Sequence, residues 1–158
     1  MVPEQVQRFV GKAELPHVRE VEKGAIRRYA EAIGNTNPLY VDIEYARKTH
    51  YGGIIAPPGF FGRPVKPTSS PTGLPQLVGD LRAVLAGAGY PRILDGGMSY
   101  EFFLPVRAGD TLVVSPTVKD VTPKEGKSGK MMVCSLETTY VNQNGDTVAK
   151  AHQTFIAR

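Results

Sequence analysis

The period of the apolar pattern changes once along this chain, near Gly97, and that change limits the folds open to it. Upstream, apolar residues recur at helical spacing. Residues Glu22 to Ile33 place Ile26, Tyr29, Ala30 and Ile33 at i, i+3, i+4 and i+7, the buried stripe of an amphipathic helix. Gln76 to Ala88 carries Leu77, Val78, Leu81, Val84 and Leu85, a stripe broad enough for a buried helix, and Gly87, Gly89 and Pro91 stop it. From Gly97 the period falls to two: Met98, Tyr100 and Phe102 alternate with Ser99, Glu101 and Phe103. Thr111 to Val121, Met131 to Val141 and Thr147 to Ala157 are rich in β-formers, and Asn144-Gly145 between two of them is a hairpin signal. Ala108-Gly109-Asp110 reads as a turn. Shorter signals predict a helix over Glu4 to Val10, ended by Gly11, and a strand over Val18 to Val21. Helices first and an antiparallel meander of about four strands second define an α+β chain.

A length of 158 residues fits one domain over 1–158. Within it, 57–75 holds Pro57, Pro58, Pro64, Pro67, Pro71 and Pro75 among Thr, Ser and Gly, and is predicted as a loop insertion rather than a domain boundary. No apolar run approaches the ~20 residues of a membrane span. The N-terminus lacks a signal pattern, and the single cysteine, Cys134, excludes an internal disulfide; the expected location is the cytoplasm. The net charge of +4 suits an anionic ligand, but no basic helix or aromatic–basic interleaving points to nucleic acid.

The polar stretch Gly34-Asn35-Thr36-Asn37-Pro38-Leu39-Tyr40-Val41-Asp42 is a helix stop, a turn and a helix start. Gly34 fits the position after a helix, Asn37-Pro38 starts a turn, and Asp42 is an N-cap for Ile43 to Thr49. A second loop, Tyr51-Gly52-Gly53-Ile54-Ile55-Ala56-Pro57-Pro58-Gly59, follows. A polar loop pinned between helices is a platform for a site.

The first stretch resembles the motif Gly-Asp-x-Asn-Pro-aliphatic-His of the MaoC-like (R)-specific enoyl hydratase family, matching at Gly34, Asn37, Pro38 and Leu39. Leu94 to Phe102 resembles the family's Leu-His-Gly-Gly segment, Arg107 to Leu112 its Arg-Pro-Gly-Asp turn, and Lys124 to Lys130 with Glu137 to Gly145 its hairpin strands. Tyr51 to Pro58 is most similar to the N-terminal, FAS1-like half of double hot-dog dehydratases. The resemblance implies a hot-dog fold, an antiparallel sheet wrapped around the Gln76 to Ala88 helix. It also implies an acyl-CoA or acyl-carrier thioester as substrate, without cofactor or metal.

Hydrating an enoyl thioester needs a base, an acid and a donor to the thioester oxygen. The family's aspartate falls at Asn35 and its histidine at Tyr40. An amide neither gives nor takes a proton near neutral pH, and a phenol of ordinary pKa near 10 is a poor base. The family's oxyanion glycine falls at Pro58, which has no N–H; Gly59 supplies one only with a slipped register. Asp95, where the family often has histidine, is a possible rescue base. By the same resemblance Gly53, Ile54, Gly59, Gly96 and Gly97 contact substrate.

His17, His50 and His152 lack metal-ligand spacing with one another or with Cys134. No Gly-x-Ser-x-Gly elbow occurs, and Val121 stands where a P-loop ending in Gly126-Lys127-Ser128 needs its first glycine. Lys124, Lys127 and Lys130 read as a solvated hairpin tip. Three readings stay open. One is a dehydratase subunit without the Asp/His pair, which shapes the acyl pocket for a dyad-bearing hot-dog partner. The second is a homodimer that only binds acyl-CoA. The third is a thioesterase, with Asp95 and Asp80 as the only carboxylates on offer.

Overall fold

The computed structural model describes residues 1–64, 75–126 and 129–158. Most of the 57–75 insertion, and Lys127 of the hairpin tip, lie outside these residues. Helices α1 (Glu4–Gln7), α2 (Lys23–Ala32), α3 (Ile43–Arg47) and α4 (Gln76–Gly87) join strands β1 (His17–Glu20), β2 (Arg63–Pro64), β3 (Ile93–Phe102), β4 (Thr111–Gly126), β5 (Gly129–Val141) and β6 (Thr147–Ala157). The strands form one curled antiparallel sheet in the order β2-β1-β4-β5-β6-β3. The predicted meander is present as β4-β5-β6 with β3 folded back onto β6. The sheet is wider than the strand-rich half of the sequence implies, because β1 and β2 extend it beyond β4. β1 falls one residue before the strand expected over Val18 to Val21, whereas β2, two residues long, lies within the 57–75 stretch expected as loop.

Two apolar cores lie on one face of the sheet. In one, Val78, Leu81 and Leu85 of α4 pack with Val6 against Val118, Val121, Met132, Cys134, Leu136 and Phe155. In the other, Ala25, Ile26 and Ala30 of α2 join Tyr40, Ile54 to Ala56, Phe60 and Phe61 over Leu112, Val114, Tyr140, Val148 and Ala149. The predicted stripe of α2 holds except at Ile33, which sits at the C-cap and is 52% exposed. No side chain of Pro75 caps α4; instead Glu14 reaches across from the N-terminal arm. The amides of Gln76 and Leu77 donate to its Oε1 and Oε2 at 3.1 and 3.2 Å. Among the described residues no helix is long and apolar enough to cross a membrane.

The far edge is β3, whose outer side has no neighbour in the sheet among the described residues. The register Phe102↔Ala149↔Tyr140 and Tyr100↔Ala151↔Thr138 puts Tyr100 and Phe102 on the core-bearing face. Neither helix covers them: Met98 is 51% exposed, Tyr100 38% and Phe102 51%. The alternation was thus legible as a strand with one apolar face, but that face is left open along this edge.

Candidate active site

Each residue of the polar loop is positioned by its own neighbours. Gly34 ends α2 at φ +67°, and the amide of Asn35 donates to Ala30 O at 2.9 Å. Two successive Asx turns follow. The Asn37 amide donates to Asn35 Oδ1 at 3.1 Å, and the Leu39 amide donates to Asn37 Oδ1 at 3.0 Å. Pro38–Tyr40 is a 3-10 turn, and Asp42 Oδ1 caps α3 by accepting from the amides of Glu44 and Tyr45. The carboxamide oxygen of Asn35 is therefore committed to holding the loop.

The second loop is tied to the first and to the sheet. The Ile55 amide donates to Leu39 O at 3.4 Å, the Ala56 amide to Val106 O at 2.7 Å, and the Ala108 amide to Ile54 O at 3.0 Å. Arg107 Nη1 donates to the carbonyl of Tyr51. The Arg107-to-Asp110 turn that makes these ties is itself locked. Asp110, 7% exposed, accepts from the Arg107 amide at 2.7 Å and from Gln143 Nε2 at 3.0 Å. Pro57-Pro58-Gly59-Phe60 is a tight turn closed by the Phe60 amide on Pro57 O at 3.0 Å. Proline second and glycine third, with Gly59 at φ +90°, is the type II arrangement, and an L side chain at Gly59 would be strained. Pro58 has no N–H, and the Gly59 N–H makes no hydrogen bond among the described residues.

The two loops and the chain leaving β3 enclose a cleft of about 500 Å³. Asn37, Leu39 and Tyr40 line it from the first loop, Tyr51 and Ile55 to Phe61 from the second, and Phe102 to Val106 from the sheet. Its size and apolar walls suit a small organic ligand. No lining side chain among the described residues is a carboxylate, an imidazole, a lysine or an arginine. Tyr40 is buried, and its hydroxyl has no hydrogen-bond partner among the described residues. Behind the wall, Tyr140 and Tyr100 have pKa values raised chiefly by burial, so both stay protonated near neutral pH.

Of the residues singled out in the sequence, Tyr40 and Gly59 line the cleft, and Asn35 braces the loop beside it. Ile54 is buried under the cleft, and Gly53 lies in the same loop outside the lining. Asp95, Gly96 and Gly97 sit at the other end of β3, roughly 20 Å along the strand from Phe102. There Asp95 Oδ1 accepts from the Gly97 amide at 2.9 Å in a bulge. A Cβ on Gly96 would meet Thr154 at 2.9 Å. His50 packs on the Tyr51 ring at 3.9 Å, and His152 Nε2 lies 2.7 Å from Glu101 Oε1 on the sheet. Sequence reasoning missed the amide of Asn37, Phe61 and the wall Phe102 to Val106. The consecutive apolar run Phe102-Phe103-Leu104, which breaks the alternation, was the available signal.

A curled antiparallel sheet around a helix, with a cleft between two loops and the chain leaving β3, is the hot-dog fold. The chain belongs to the family described as FAS1-like, dehydratase domain region, which matches residues 8–151. It is 32% identical over 154 residues to a "UPF0336 protein" of Streptomyces griseus, covering 96% of this chain and 94% of that one. It is also 30% identical over 133 residues to a probable enoyl-CoA hydratase alpha subunit of Thermomonospora curvata, covering 78% of this chain and 40% of that protein. Among solved structures, the ChsH1-ChsH2 complex from Mycobacterium tuberculosis contains a chain that superimposes with TM-score 0.77 at 23% identity, covering 97% of this chain and 93% of that one. A chain of the HadBC (3R-hydroxyacyl-ACP dehydratase) complex from the same organism gives TM-score 0.67 at 19% identity, covering 94% and 96%. At these identities the two structures speak for the fold.

Proposed function

We propose that this chain is the non-catalytic half of an enoyl-thioester hydratase or 3-hydroxyacyl-thioester dehydratase. In this reading it shapes the acyl pocket while a dyad-bearing hot-dog chain moves the protons. One observation carries the proposal. Two loops held by hydrogen bonds frame the cleft, yet no side chain lining it among the described residues is a carboxylate, an imidazole, a lysine or an arginine. Asn35 is neither acid nor base, and Tyr40 can donate a proton or polarise an oxygen but is a poor base for activating water. The Gly59 N–H, the Asn37 carboxamide and the Tyr40 hydroxyl are the donors on offer to a thioester oxygen. The substrate is an acyl thioester of coenzyme A or of an acyl-carrier protein.

The open edge of β3 supports a partner seated there. A strand edge unpaired among the described residues, with Met98, Tyr100 and Phe102 beside it, is a template for another chain. The similarity to a protein named as a hydratase subunit, and to chains solved as two-component complexes, agrees with this. The thioesterase alternative has no support in the cleft, because Asp95 and Asp80 both lie outside its lining. A homodimer that only binds acyl-CoA would use the same pocket and edge, and the same assay separates it.

The test is hydration of crotonyl-CoA by the purified chain, alone and mixed with a dyad-bearing hot-dog chain. Alone, turnover should be at background. In the mixture, activity should appear and change by less than about threefold on Asn35→Ala or Tyr40→Phe, against the ~10²–10⁴ expected for removing a true general acid or base. Turnover by the isolated chain that Tyr40→Phe abolishes would overturn the proposal. No activity in the mixture, with acyl-CoA binding retained, would favour the binding-only homodimer.

A further inference from the structure

We propose that Phe61 is a fixed stop that limits the cleft to short acyl chains, and that it closes the cleft off from an apolar track running along β3. The inference rests on the acyl-thioester reading above and adds the length of chain accepted.

Phe61 lines the cleft yet is only 5% exposed. Its ring stacks on Tyr140 at 3.9 Å and 17°, and lies 5.7 Å from Tyr100 and 6.3 Å from Phe102. Beneath these rings the sheet is low. The cross-strand rows Tyr140–Ala149–Phe102 and Thr138–Ala151–Tyr100 both have alanine on β6. Two small residues in line let the Phe61 ring settle low among Tyr140, Tyr100 and Phe102, and Ala149 and Ala151 are buried. Beyond Phe61 the partly exposed side chains of Tyr100 and then Met98 continue away from the cleft. An acyl tail that outgrew the cleft would follow this track if Phe61 were not in its way.

The backbone around Phe61 makes it a stop rather than a swinging gate. The Pro57–Phe60 turn fixes it from one side. From the other, Gly62 lies so close to β1 that a Cβ there would meet Glu20 O at 2.6 Å, and Arg63–Pro64 pairs with β1 directly. With turn before and strand after, the backbone at Phe61 is held, and the ring is kept on Tyr140 by its packing.

The experiment is calorimetric titration of the full chain with butyryl-, octanoyl- and dodecanoyl-CoA. Wild-type protein should bind butyryl-CoA at least as tightly as dodecanoyl-CoA. Phe61→Ala should tighten dodecanoyl-CoA by about fourfold for each methylene newly buried, hence more than tenfold in all, with butyryl-CoA within about threefold. Phe61→Leu, a smaller cut, should shift the preference in the same direction and decides the matter if the alanine variant fails to fold. Equal changes for all lengths, or a wild type that already prefers dodecanoyl-CoA, would overturn the stop while leaving the acyl-thioester reading intact. Absence of binding at every length, in wild type and variants alike, would overturn both.

Discussion

Replacing Asp110 tests whether the cleft is held by the turn beneath it. The carboxylate is 7% exposed and accepts two hydrogen bonds, from the Arg107 amide at 2.7 Å and from Gln143 Nε2 at 3.0 Å. A hydrogen bond to a charged group contributes about 1.5–3 kcal/mol. Gln143 is exposed, so its Nε2 can pass to water while its Oε1 keeps the Thr111 amide, and its share is the smaller. The Arg107 amide is fixed by the chain and cannot. Asp110→Ala should therefore destabilise by about 2–4 kcal/mol, a large fraction of the ~5–15 kcal/mol typical of a domain. At this chain length that is a fall in melting temperature of about 5–15 °C. Urea denaturation with an unchanged m-value measures the loss, and amide exchange locates it. The Ala56 and Ala108 amides, which tie the second loop to Val106 and Ile54, should lose protection beyond the global change. A loss below about 0.5 kcal/mol, or exchange at Ala56 and Ala108 that tracks global unfolding alone, would refute the clamp.

Glu14→Ala should cost about 1–2 kcal/mol by stripping α4 of its cap, and Glu14→Gln, which keeps one acceptor oxygen, should cost less; chemical denaturation compares the two. Cys134, buried and with its thiol pushed up to about 12 chiefly by burial, should resist a thiol reagent at mildly alkaline pH and react at the rate of a free cysteine only in denaturant. Rapid labelling of the native protein would contradict that placement.

What could be read from the sequence was what neighbours along the chain decide. The stripes of α2 and α4, the Asp42 cap, the turn after Asn37 and the Asn144-Gly145 hairpin each depend on residues a few positions apart. What could not be read depends on distant pairing. Glu14 caps a helix that begins 62 residues later, and β2 is too short to show a period. The polar loop was recognisable as part of a site, but its cleft is completed by Phe61 and Phe102 to Val106, which only the fold brings there. The same limit explains Met98, Tyr100 and Phe102. Alternation assigns them to one face, and nothing local says whether that face is covered.

The two departures from the hydratase motif are not equally reversible. Codons for asparagine and aspartate, and for tyrosine and histidine, differ by one base, so the genetic distance back is short at both positions. At Asn35 the fold offers no resistance, since an aspartate would give the Asn37 amide the same acceptor oxygen. At Tyr40 it does. That ring is buried in the core with Ile54, Ala56 and Phe60, and a histidine there would leave a void and bring in ring nitrogens, each costing about 1–3 kcal/mol if left unsatisfied. Position 35 can drift in either direction, while position 40 works as a ratchet. A chain that has packed its core around this tyrosine keeps it for stability.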